Sequence, residues 1–135
     1  MKKLLSTHYS AGAFNFAILV LRIGTGVLLM HHGYDKLVHF SEYHEQFMSF
    51  LGLGKSLSLA LVVFAEFFCS MFLILGLFTR FATIPILIAM FVALIEAHGG
   101  DYFGKGELAT HYIISSLVLL IIGPGKISVD GLIGK

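Results

Sequence analysis

Charge is the first thing this sequence has little of. Asp, Glu, Lys and Arg make up 13% of its residues, about half the share found in soluble domains. A net charge of +1 excludes nucleic acid as a partner, because that requires a concentrated basic face. Cysteine is nearly absent. The single Cys69 excludes an internal disulfide, dithiol chemistry and c-type haem attachment, and inside an apolar run it reads as a small packed side chain. No repeat and no low-complexity segment is present, and 135 residues fit one domain, 1–135, with no room for a second.

In place of charge stand apolar runs, with a hydrophobic fraction of 57% and a mean hydropathy of +0.90. Four stretches, about 14–32, 56–78, 81–98 and 108–123, predict an all-α membrane protein, a four-transmembrane-helix bundle. The last two are short for a span of about 20 residues, so they extend by a turn or the outer loop dips toward the bilayer. Lys2 and Lys3 lead into a polar stretch rather than an apolar one, so the first run reads as a retained span and not a cleaved signal. Pro85 falls in the first turn of the third span, where its missing N–H removes little. The turn at Gly76-Leu-Phe-Thr-Arg80 is short enough to make spans 2 and 3 antiparallel neighbours. In the loop 33–55, Phe40, Tyr43, Phe47 and Phe50 are helically spaced, which predicts a short interfacial amphipathic helix between spans 1 and 2. Gly123-Pro-Gly125 stops the last helix, and the tail 126–135 is expected to rest on the membrane surface. Lys2, Lys3, Arg80, Lys126 and Lys135 lie on one side, and Lys36, Lys55 and Lys105 on the other. The excess favours N-in/C-in.

The few charges inside the spans are then conspicuous. Arg22 in hydrocarbon would cost roughly 2.5–3.5 kcal/mol unpaired. It lies ten residues before His32, the expected end of span 1, and Glu66 lies ten residues into span 2. Both depths are about 15 Å, so the sequence reading pairs Arg22 with Glu66. Gly26 and Gly33 share the Arg22 side of the helix and let a neighbour approach closely. Ser70 lies near the Glu66 side of the next helix. His32 points more nearly inward than His31.

Toward the outer ends gather His32, Lys36, Glu96, His98, Glu107 and His111. The plain reading is a set of solvated helix ends. The functional reading is a polar pocket open to the outside and closed below by Arg22 and Glu66. Its ligand-binding residues would be Arg22, His32, Lys36, Glu66, Glu96, His98, Glu107 and His111, with His32, His98, Glu107 and His111 as candidates for proton exchange or catalysis. Glu107 and His111 are four apart and share a helix face. No recognised metal spacing occurs, so no metal is expected.

The ordered set Arg22, His32-Gly33 with Lys36, Glu66, Gly76-Leu-Phe-Thr-Arg80, His98, Glu107 and Gly123-Pro-Gly125 followed by Ser128 and Asp130 resembles the DoxX family, over about 17–132. The resemblance implies a small four-helix, multi-pass protein of the bacterial inner (cytoplasmic) membrane. The family takes its name from a subunit associated with a terminal quinol oxidase. Related proteins are linked to thiosulfate:quinone oxidoreduction or to membrane complexes handling oxidative stress. It therefore points to a redox-associated subunit of a quinone-linked oxidoreductase, binding a quinone or a small anion in the outer pocket. No residue here carries electrons by itself, so a cofactor or partner would; a quinone is the candidate, and haem is not expected. His31-His32, the aromatic loop and Glu96 depart from the family pattern. The alternatives are a non-catalytic assembly or stability partner of a membrane complex and, less favoured for want of inverted repeats, a proton or small-solute transporter. Partners implied are the lipid bilayer, a membrane or outer-face protein, and further copies of the chain.

Overall fold

The computed structural model describes residues 4–43, 54–97, 103–104 and 106–134, apart from the side chains of Tyr43, Glu96 and Ala97. Helix α1 runs Ala11–Val38. It starts where the Ser10 hydroxyl accepts from the Ala13 N–H at 3.1 Å, an N-cap that satisfies one orphan donor. It does not end at His32. Residues 33–38 contain no proline and one glycine, so the helix continues to a length of about 42 Å. A short α2, Phe40–Tyr43, follows; the expected interfacial helix otherwise falls on Phe47 and Phe50, outside the described residues. The remaining elements are α3 (Lys55–Leu75), α4 (Thr79–Val92, continued by a π-helical turn Ala93–Ala97), α5 (Glu107–Ile122) and α6 (Val129–Ile133). Among the described residues there is no strand, and the fold is all-helical.

Local chemistry sets the turn from α3 to α4. Gly76 adopts φ 70°, which ends α3. Its N–H bonds the Leu73 carbonyl at 3.1 Å, and the Leu77 N–H bonds Phe72 at 2.9 Å, the paired bonds of a Schellman stop. Phe78, with φ 49°, is in the same left-handed region, an uncommon state for a bulky residue. Helix α4 begins at Thr79, so Pro85 lies within it and not in its first turn. The proline leaves the Phe81 carbonyl without its i+4 amide donor.

The helices pack in a closed circuit. α1 lies against α3 and α5, α3 against α4, and α4 against α5. Leu29, Leu59, Leu73, Ile86 and Leu119 are fully buried between them. The outward faces are apolar too, with Val20, Phe64, Ile88 and Ile114 each about half exposed. A helix that is apolar all round is not solvated by water. Two of the helices, α1 and α3, are long and apolar enough to cross a membrane; α4 and α5 are shorter apolar helices.

The segment after α5 folds back across the end of the assembly where α1 begins, which we term the tail end. The Lys126 N–H donates to Asn15 Oδ1 at 2.9 Å, and the Asp130 N–H donates to the Gly76 carbonyl at 2.8 Å. The opposite end, where α3 and α5 begin, is termed the loop end.

Candidate functional site

The charged residues form two groups, at opposite ends of the core. At the loop end the Lys36 ammonium donates to Glu66 Oε2 at 2.5 Å. The side chains are 26% and 7% exposed, so the carboxylate is buried and the lysine stem reaches down to it. Glu66 sits in a π-helical stretch of α3, Phe64–Cys69. That wider turn displaces the side chains from regular α positions. α1 fits against it through Gly33: a Cβ there would stand 2.6 Å from the Glu66 carbonyl carbon and from the Phe67 nitrogen. The partly buried His32 ring meets Tyr112 of α5 edge-on, with centroids 6.2 Å apart. Tyr112 is 6% exposed and within electrostatic reach of Glu66.

At the tail end, Arg22 is 2% exposed. Its Nη1 donates to the Pro124 carbonyl at 2.7 Å, and its Nη2 to the Ile74 carbonyl at 3.5 Å. Ile74 is in the last turn of α3, and Pro124 lies just beyond α5. The cation therefore sits between two helix C-termini, each carrying about −0.5 elementary charge, and within reach of the Asp130 carboxylate. Asp130 in turn accepts from the Phe78 N–H at 2.8 Å and the Thr79 N–H at 2.9 Å, capping α4. Ser128 accepts from the Gly131 N–H at 2.9 Å and donates to the Gly125 carbonyl at 2.8 Å. Arg80 donates to the Ile121 and Ile122 carbonyls at 3.4 and 3.2 Å.

The expected Arg22–Glu66 pair is thus not formed. Equal depth was inferred from helix ends placed at His32 and Ser56, but α1 continues to Val38. Gly33, not Arg22, lies opposite Glu66, and Gly26 lies against Ser70 and Ile74. Arg22 is eleven residues from Gly33, about 16 Å along the axis. A helical side chain also leans toward its own N-terminus, which takes the guanidinium further from Glu66 and Lys36 closer to it.

Of the expected outer cluster, Lys36 turns inward to Glu66 and His32 meets Tyr112. Glu107 and His111 face each other at 3.7 Å but are 64% and 69% exposed, so they form a surface pair. His98 and the Glu96 side chain lie outside the described residues. Tyr112 was missed, although its i, i+4 spacing to Ser116 in an aliphatic run was a visible signal. His31 is exposed, and Cys69 is buried at 2% exposure, as its apolar context suggested. Among the described residues no group of three His, Cys, Asp or Glu converges. Just beyond α1, the bond between His39 Nδ1 and the Asp35 carbonyl, 2.9 Å, raises the His39 pKa; desolvation opposes it, and the Glu42 and Asp35 charges add to the rise.

Helices apolar outside as well as inside, with the buried charges among the described residues held by helix-end carbonyls or in the Lys36–Glu66 pair, define an integral membrane protein of the small helical kind. The DoxX family model matches residues 17–99, more than half of the chain, and the protein belongs to the DoxX family. The match covers α1 to α4 and stops before α5, so Gly123-Pro-Gly125, Ser128 and Asp130 lie beyond it. No curated protein and no solved structure matches the chain.

Proposed function

We propose that the protein is a four-span subunit of the bacterial inner membrane, N-in/C-in, which binds a quinone or a small anion at the loop end. The observation that carries this reading is the buried Glu66 carboxylate, held in a π-helical turn, paired with Lys36 and within electrostatic reach of Tyr112. π-Helical turns recur at functional sites. The donor set suits the ligand class. Lys36, His32 and Tyr112 offer N–H and O–H groups of the kind that a quinone carbonyl or an anionic oxygen accepts. A quinone would supply the electron transfer that no side chain here provides. The chain's own part is to hold the lysine charge against Glu66 and to surround it with apolar helix.

Purification in mild detergent followed by mass analysis tests the reading. Retention of a quinone by the wild type, and its loss from Lys36→Ala, is expected. If no quinone co-purifies, and neither an added quinone analogue nor thiosulfate binds, the reading is wrong.

A second reading, a non-catalytic assembly partner, is favoured by one observation. Tyr34, Phe64, Phe67 and Phe68 form an aromatic patch across α1 and α3, and Tyr34, Phe64 and Phe68 are about half exposed. A stoichiometric protein that co-purifies from native membranes and is lost on Phe64→Ala would select it.

A further inference from the structure

The core contains polar atoms that neither charged group uses. Ser70 Oγ on α3, Ser116 Oγ on α5, Thr79 Oγ1 on α4 and Arg22 Nε are buried without a hydrogen-bond partner in the protein. The two serines and the threonine are 0% exposed. A helical hydroxyl ordinarily returns to a carbonyl about one turn back. Thr83 does so to Arg80 at 2.6 Å, Thr110 to Gly106 at 2.9 Å and Ser58 to Gly54 at 2.6 Å. Ser70 and Ser116 do not. Buried hydroxyls in folded proteins nearly always have a partner, whether protein or water.

Their positions are related. Ser70 is one turn from Glu66, and Ser116 one turn from Tyr112. Gly26 of α1 lies against Ser70 and Ile74, and His32 meets Tyr112. With a rise of about 1.5 Å per residue, both serines stand level with about residue 28 of α1. α3 and α5 each pack on both α1 and α4, so they occupy opposite corners of the circuit. Both serines are fully buried within that circuit. Thr25, 7% exposed, lies between that level and Arg22. The succession is Glu66 with Tyr112, then Ser70 with Ser116, then Thr25, then Arg22 with Thr79. Steps of about 5–8 Å separate the levels, too long for direct hydrogen bonds and suited to one or two bridging waters.

We propose that ordered waters are bound along this line by Ser70, Ser116, Thr79 and Arg22 Nε. They join the Glu66 carboxylate to the Arg22 end as one hydrogen-bonded path through the core. A chain of this length is expected to bury about five waters, at one per ~27 residues. The path stands whether or not the loop end binds a quinone.

The sign of a stability change tests it. In a dry core, alanine removes an unpaired hydroxyl and leaves Tm unchanged or higher. With waters bound, Ser70→Ala and Ser116→Ala each strand a water and lower Tm by about 2–4 °C. The double variant then loses less than the sum, because the two serines share the same waters. Proton-detected NMR of the protein in lipid bilayers gives an independent reading, with water cross-peaks expected at Ser70 and Ser116 of the wild type. An unchanged or raised Tm in both single variants, or the absence of a water cross-peak at both serines, overturns the proposal.

Discussion

Arg22 and Glu66 illustrate how a buried charge finds its counter-charge. The search for an opposite side chain overlooks the backbone, whose ordered carbonyls at two helix ends offer about one full negative charge between them. Arg22 takes that pair of ends, Arg80 takes the end of α5, and Asp130 takes the amide end of α4. Glu66 is then left for Lys36. Removing one partner of a buried pair strands the other. Lys36→Ala is expected to destabilise by about 3 kcal/mol, because the carboxylate it leaves is 7% exposed. Glu66→Ala should cost less, about 1–2 kcal/mol, because the lysine stem can turn its head toward water. Chemical unfolding in detergent should give a Lys36→Ala/Glu66→Ala double variant milder than the sum. The Arg22→Ala and Glu66→Ala losses should couple far more weakly than those of Lys36→Ala and Glu66→Ala; coupling of equal strength would contradict the separation of about 16 Å. Asp130→Ala removes a cap from two amides and should lower stability by about 1–2 kcal/mol, read in the same unfolding experiment.

Among the elements, α1 and α3 depend on glycine where the backbones meet. A Cβ on Gly33 would meet the backbone of Glu66 and Phe67, which cannot rotate away. Gly33→Ala should therefore separate the helices at the π-helical turn and cost about 1–3 kcal/mol. Gly24 is a control on the same helix: a methyl group added there would have nothing within 4 Å. Gly24→Ala should be neutral or stabilise by up to about 1 kcal/mol. Thermal unfolding of the two variants separates contact from propensity, and equal effects would show that the close approach at Gly33 is absent. The glycine positions were legible in the sequence because wheel angles depend only on helical periodicity. The π-helical turn was not, since it arises from the fit of α3 around α1 and leaves no local signature in Phe64–Cys69.

For the whole molecule the open quantity is its placement across a bilayer. The proposed N-in/C-in arrangement sets Lys126 inside and Lys55 outside. Because Cys69 is buried, single reporter cysteines can be read with little background. A membrane-impermeant maleimide added to intact cells should label Lys55→Cys and reach Lys126→Cys only after lysis. The reverse pattern would invert the topology, and labelling of both in intact cells would dismiss it. The sequence alone determined the helical class, the approximate helix positions, the small-residue faces and the membership of a membrane family. These follow from composition, period and local stop signals, which act over a few residues. Tertiary structure decided which charge meets which. That depends on helix register, which sets Gly33 rather than Arg22 opposite Glu66, eleven residues and about 16 Å along the axis, and on backbone ends that carry charge without appearing as charged letters.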